Sequence, residues 1–331
     1  MKSNYSKFIG ILLLLFPMIS MGQKKDIYSE SIDSANLRFH NKQYLEAAKL
    51  CSKAFAANKG LGRADHRYLA GACWAQAGIK DSSFYQLNRM VKGGFSDYVK
   101  FAIDDDFSSI KRDIRYNEVL SGIRRNIHQQ SASLKYLYKN LDTNIVFRLD
   151  SIRIDDQIYR SQIEKVKSAF GMESTQMKDL VTLINRQDSI NLIKVEQIVK
   201  SNGWMGKEQV GDNGNTTLFL VIQHADLASQ LRYLPIIEAA ARNGKVKSAS
   251  LALLQDRVLM RQGKKQLYGS QLNTNRYTGK YYVYEMEDPS NVDKRRFDVG
   301  LPPMKQYLST WGIEWSLEQY ERDLQASKQT Y

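Results

Sequence analysis

The stretch that decides the fold is IVFRLDSIRIDDQIYRSQIEKVKSAF, residues 145–170. Its apolar residues recur at steps of three and four, which places them on one face of a helix. They are Ile145, Leu149, Ile152, Tyr159, Ile163, Val166 and Phe170. Asp156 fills the one wider gap in this face. The pattern predicts amphipathic helix that carries a carboxylate toward its packing partner.

Three more predicted helices carry a polar residue in an apolar face. These residues are Asp188 with Asn191, His224 and Asp256. Because a lone buried charge is costly, we expect them to meet Asp156 and Gln271 in one pocket, as side chains of facing helices do in bundle sites. The alternative is a local partner for each, such as Arg153 or Arg160 for Asp156. Arg257, beside Asp256, is expected to point elsewhere.

These residue types suit hydrolysis by water. His224 is the candidate general base, since the ordinary pKa of histidine lies near neutrality. Asp256 or Asp188 would orient its ring. Tyr268 and Gln271, just beyond the last of these helices, would stabilise developing charge. No serine or cysteine lies in a recognised nucleophile motif, so water is the expected attacker.

A second version of this hydrolytic site would contain a divalent metal ion. Asp156, Asp188, Asp256 and His224 would hold it, and a set rich in carboxylates suits a hard ion better than zinc. The sequence itself requires no cofactor. Two non-enzymatic alternatives stay open: a binding module, or a scaffold in which the polar cluster only specifies packing.

Residues 23–130 are predicted to form helical pairs of similar design. Tyr44 and Ala47 in the first pair correspond to Ile79 and Ser83 in the second, and Ala47 and Ser83 are 36 residues apart. This arrangement resembles tetratricopeptide repeats, whose period is 34 residues, although their closing proline is missing. The resemblance implies a surface that binds a protein or peptide; the alternative is a spacer.

Polar residues 131–144 are the expected linker, and residues 145–331 the second domain. In that domain glycines and asparagines predict a loop over 203–217, and tyrosines predict a small extended or hairpin segment near 277–284. The fold class that follows is mostly α.

The first 22 residues have the order of an export signal. Lys2 and Lys7 precede the apolar run 8–16, and Ser20 and Gly22 are the small residues expected before a cleavage site. The run is too short to span a bilayer, and no later segment is apolar enough to do so. The sequence therefore predicts an exported protein, periplasmic or secreted, without a membrane span after cleavage.

Composition and charge limit the class of protein to which the chain can belong. The 331-residue chain is 43% hydrophobic with a formal net charge of +13, which is typical of a globular protein. Its basic residues are scattered, whereas a nucleic-acid surface would be denser. Two cysteines exclude a disulfide scaffold. Cys51 and Cys73 are expected to be buried thiols, although export would also permit a disulfide between them.

Four motifs in the second domain carry a family resemblance. They are Gln-His-Ala-Asp at 223–226, Asp-Arg at 256–257, Gln-Leu-Tyr-Gly-Ser-Gln at 266–271 and Gly-Trp-Met-Gly at 203–206. In this order they resemble an uncharacterised bacterial domain family, with methionine in place of a proline and Ser270 in place of a threonine. The similarity covers about residues 145–310 and implies no known activity.

Overall fold

The structure, a computed structural model, describes residues 26–275 and 279–328. The fold is mostly α, as predicted. The predicted signal peptide, residues 1–22, and Tyr277 lie outside the described residues. The chain divides into two compact units, and the division falls between Met90 and Val91. Residues 131–144, the predicted linker, form the end of one helix, a 3₁₀ turn and the start of the next.

The N-terminal unit consists of two helical hairpins. Its helices are α1 (Ile27–His40), α2 (Tyr44–Ala57), α3 (Ala64–Gln76) and α4 (Lys80–Lys92). Small residues allow α3 and α4 to approach closely. A Cβ atom on Gly71 would lie 2.6 Å from Cδ2 of Leu87, and the Ser83 hydroxyl donates to the Gly71 carbonyl at 2.8 Å. The helical pairs are as predicted, whereas their assignment to tetratricopeptide repeats stays a prediction.

Both cysteines contribute to the core of this unit. Cys51 on α2 and Cys73 on α3 are fully buried thiols that are not joined in a disulfide. They pack with Ile32, Ala47 and Phe55. They therefore fill apolar volume as small hydrophobic side chains.

The second unit is a longer series of helices. It begins with α5 (Tyr98–Ile103), α6 (Ile114–Ser133), α7 (Thr143–Arg160), α8 (Ile163–Phe170), α9 (Thr175–Asn202), α10 (Lys207–His224), α11 (Leu227–Arg242) and α12 (Ser248–Arg261). The core lies between α7, α9, α10, α11 and α12. It includes Leu149, Val195, Leu218, Ile222, Ile237 and Leu254.

The stretch 145–170 forms two helices, not one. Helix α7 ends at Arg160, and a turn at 161–162 leads into α8. The side-chain amide of Gln162 donates to the Ile158 carbonyl at 2.9 Å and so satisfies part of the exposed helix end. Ile163 and Val166 then pack against α9, whereas Phe170 is exposed. Tyr159 at the end of α7 packs on the same residues of α9 as Ile163 and Val166, so the apolar period persists across the break.

The prediction of a loop over residues 203–217 is wrong, since α10 occupies most of this range. Gly203, at φ 66°, ends α9, and α10 begins four residues later with Gly206 as its N-cap. Within α10 only Gly211, at φ 68°, leaves helical geometry. Gly214 faces α7, where an added Cβ would lie 3.2 Å from Cδ1 of Leu149. These glycines mark helix ends and a close helix contact, which the sequence pattern does not distinguish from a loop.

A small sheet and three short helices complete the chain. Strands β1 (Leu272–Thr274) and β2 (Tyr281–Val283) pair antiparallel, so the extended segment expected near 277–284 is present in its described part. The helices are α13 (Val292–Asp298), α14 (Met304–Ser309) and α15 (Leu317–Lys328). Among the described residues, no helix has both the length and the apolar character needed to cross a membrane.

Candidate active site

Three of the predicted polar residues meet where α7, α9 and α10 pack together. Asp156, Asp188 and His224 each place one potential ligand atom within 4.8 Å of the others. Asp156 is buried, and the other two side chains are partly exposed. The helices that carry them bury their apolar faces in one core, so polar residues within or beside those faces are brought together.

Asp156 holds the ring of His224. Nδ1 of His224 and Oδ1 of Asp156 are 2.9 Å apart, and the Gln157 amide donates to the second carboxylate oxygen at 2.6 Å. Burial raises the pKa of Asp156, but the hydrogen bond and charge of His224 and the charge of Arg160 outweigh it, so the net pKa is lowered. An ionised carboxylate only accepts, so Nδ1 is the donor.

The second ring nitrogen of His224 is left available. In the described part of the chain Nε2 makes no hydrogen bond, and the side chain is 17% exposed. In the neutral tautomer with Nδ1 protonated and bonded to Asp156, Nε2 carries the lone pair. In that tautomer the ring is oriented so that Nε2 can accept a proton.

Arg160 links the two carboxylates. It donates to Asp188 at 2.5 Å, and its Nε lies 3.7 Å from Oδ2 of Asp156. Burial nevertheless raises the pKa of Asp188, against the opposing charge of Arg160. Arg160 is therefore the local partner that the sequence offered for Asp156. It also connects Asp156 to Asp188 on another helix, α9.

The chemistry of these donors fits a divalent cation only in part. Asp156, Asp188 and His224 offer two carboxylates and an imidazole, a set that suits a hard or intermediate ion. However, the Arg160 guanidinium already pairs with both carboxylates, and Nδ1 of His224 is used by Asp156. A metal ion would have to displace Arg160. Asp256, the fourth predicted ligand, does not belong to this group.

Asp256 has a different role from the one predicted. Its Oδ1 accepts from the backbone N–H groups of Leu267 and Tyr268, at 2.7 and 3.0 Å. Its Oδ2 accepts from the Ser270 N–H at 2.9 Å. The residue is fully buried. Asp156, rather than Asp256 or Asp188, orients His224, because the Asp256 carboxylate is satisfied by the loop that follows α12.

Tyr268 and Gln271 lie in and just after this loop. Tyr268 is held through its backbone, since its N–H bonds to Asp256 and its carbonyl accepts from Arg296 at 2.6 Å. The Gln271 side chain accepts from Nε of Arg257 at 2.9 Å and donates to the Ser270 hydroxyl. Gln271 is therefore connected to the residues around His224 by its hydrogen bond with Arg257.

Two arginines missed in the sequence border His224. Nη1 of Arg257 donates to the Gln223 carbonyl at 3.0 Å, so this side chain points away from the Asp256 carboxylate, as expected, and toward His224. Nη1 of Arg261 donates to the Ala225 carbonyl at 2.5 Å. Burial, followed by the charges of Arg261 and Arg160, lowers the pKa of Arg257 to about 10. Their spacing of four, which places both on one helix face, was the available signal.

The fold and the site together define an α-helical domain with an aspartate–histidine pair among arginines. Residues 145–317 match the DUF6624 family, described as a family of unknown function. This match covers more than half of the chain, which therefore belongs to that family. The comparisons found no match among curated proteins or solved structures.

Proposed function

We propose that the second domain hydrolyses a substrate with water as the nucleophile and His224 as the general base. The single observation that carries this proposal is the 2.9 Å hydrogen bond between Asp156 and Nδ1 of His224, which leaves Nε2 free. The partial exposure of His224 gives water and substrate access to that nitrogen.

In the proposed reaction, Nε2 of His224 takes a proton from water while the water oxygen bonds to the electrophilic centre. The ionised Asp156 stabilises the imidazolium that forms. The imidazolium then returns the proton to the leaving group as the scissile bond breaks. Arg257, next to the ring, would stabilise negative charge developing on the substrate.

The test uses the full chain and a panel of chromogenic substrates: p-nitrophenyl acetate, p-nitrophenyl butyrate, p-nitrophenyl phosphate and bis-p-nitrophenyl phosphate. His224→Gln should lower turnover of any hydrolysed member by about 10²–10⁴-fold, the usual contribution of a general base. Asp156→Asn should also lower it. His40→Gln and Asp179→Asn are matched controls, since both residues are exposed. Turnover unchanged in both site variants would refute the assignment.

The alternative is a binding or scaffold protein whose polar residues only specify packing. Asp256 favours it, since this predicted site residue is bonded only to backbone N–H groups. This alternative predicts that His224→Gln lowers stability and that the wild-type chain hydrolyses nothing in the panel.

We further propose that the chain is exported and that its N-terminal unit binds a protein or peptide. The order of residues in 1–22 supports export. Exposed apolar side chains at Leu37, Leu61 and Tyr85 support a binding surface on the N-terminal unit. N-terminal sequencing of the protein recovered outside the cytoplasm tests the first point and should begin at Gln23. An uncleaved Met1 would contradict it.

A further inference from the structure

Among the described residues, neither Arg257 nor Arg261 forms a direct ion pair with a carboxylate, although the charges of Asp226 and Asp188 act on Arg261. The side-chain bonds of Arg257 go to the Gln271 amide oxygen and the Gln223 carbonyl, and that of Arg261 goes to the Ala225 carbonyl. All three acceptors are neutral. Arg160, by contrast, is paired with a carboxylate.

An uncompensated guanidinium is costly where water is largely excluded. Arg257 is only partly exposed, and the neighbouring positive charges of Arg261 and Arg160 add to this cost. A guanidinium has five N–H donors, of which Arg257 uses two in the described hydrogen bonds. The remaining donors suit a planar or tetrahedral oxyanion, which arginine binds in bidentate fashion.

The place of these arginines connects them with the general base. Gln223 and Ala225, whose carbonyls they contact, are the two chain neighbours of His224. Arg160, Arg257 and Arg261 share this region with the carboxylates of Asp156, Asp188 and Asp226. None of these carboxylates forms an ion pair with Arg257 in the described residues, so its positive charge is the least compensated of the three.

We infer that the substrate carries an oxyanion, a carboxylate or a phosphate group, and that Arg257 and Arg261 bind it beside His224. The hydrolytic part of this inference rests on the proposed function, whereas the anion binding does not. Such binding would hold a neighbouring bond of the substrate against Nε2, which is how remote charge contacts orient a reacting group.

A purely structural role for both arginines is the competing explanation. Helix α10 ends at His224, and cations stabilise the carbonyls at a helix C-terminus. Loss of that role lowers stability without any effect on anion affinity, so the two explanations predict different measurements.

The experiment is isothermal titration of the full-length protein with sodium phosphate, and separately with sodium acetate, at constant ionic strength set with sodium chloride. We expect saturable binding of at least one anion. Arg257→Gln should weaken it about 10-fold or more, since a charge-assisted hydrogen bond is lost. Arg242→Gln, a substitution on an exposed part of α11, should leave it unchanged. Preference for acetate would identify a carboxylate group, and preference for phosphate a phosphoryl group.

Two further variants separate the possible failures. Arg261→Gln, at a more exposed position, serves as the second test if Arg257→Gln does not fold by circular dichroism. His224→Gln should bind the anion within about 3-fold of wild type, because a neutral side chain replaces a ring that is not the main anion ligand. Anion binding no stronger than that of chloride, or equal in wild type and the folded arginine variant, overturns the inference even where hydrolysis is observed. Anion binding without hydrolysis leaves it standing and rejects only the proposed reaction.

Discussion

Replacing Asp256 by alanine should strongly destabilise the second unit. The fully buried carboxylate accepts from three backbone N–H groups, those of Leu267, Tyr268 and Ser270. A hydrogen bond to a charged group contributes about 1.5–3 kcal/mol, and a buried donor left without a partner costs about as much. Because the three bonds share one carboxylate, their effects do not simply add. We expect a total loss of about 3–5 kcal/mol.

Asp256→Asn should be milder. The amide keeps one acceptor oxygen for Leu267 and Tyr268, but its NH₂ group faces the Ser270 N–H, where two donors oppose each other. We expect a loss of about 2 kcal/mol. Asp226→Ala is the matched control: Asp226 is the exposed N-cap of α11 and accepts from the Ser229 N–H, a bond whose loss costs about 1 kcal/mol.

The assay is urea unfolding followed by tryptophan fluorescence, since three of the four tryptophans, Trp204, Trp311 and Trp315, lie in the second unit. Trp74→Phe in every variant removes the signal of the N-terminal unit. The midpoint should fall in the order wild type, Asp226→Ala, Asp256→Asn, Asp256→Ala, with a similar slope. If Asp256→Ala costs no more than the N-cap control, the carboxylate does not hold the loop and this reasoning is refuted.

Three further predictions concern packing, pH and thiols. Gly71→Ala should cost about 1–3 kcal/mol in urea unfolding, because its Cβ would lie 2.6 Å from Cδ2 of Leu87; an unchanged midpoint would contradict the close contact. The pKa of Asp156 is lowered in the folded chain, so its stabilisation is complete above the unfolded value of about 3.9 and is lost as pH falls through the folded value. Asp156→Asn should therefore flatten the acid limb of stability against pH, and an unchanged limb would argue against the ionised pair. Cys51 and Cys73 are buried and not joined in a disulfide, so Ellman's reagent should detect neither thiol in the native protein and both in guanidinium without reductant; detection of none after unfolding would indicate a disulfide.

Helical class and part of the site were predictable because both follow from local pattern and the cost of burial. The period of 145–170 identified helix and marked Asp156 as a buried carboxylate, and the same reasoning selected His224. Their meeting followed because a buried carboxylate requires a partner. Their roles as catalytic residues stay predictions.

Other predictions were wrong because one sequence pattern is compatible with two different structures. The glycines of 203–217 suit a loop, but they also suit two helix ends and a close helix contact. Asp256, like Asp156, is an aspartate within an apolar helix face, yet its partners are backbone N–H groups. Every residue except proline has such a group, so no side-chain pattern reveals this pairing.

The sequence by itself determined which segments are helical, which of their faces are apolar, and that Asp156, Asp188, His224 and Asp256 sit in or beside those faces. Only the tertiary structure decided which partner each one has: His224 for Asp156, Arg160 for Asp188, and a loop for Asp256. The physical reason is that burial demands a partner for each charge but does not specify it. Partners come from helices far apart in the chain, and their angles and offsets are set by the packing of the whole core.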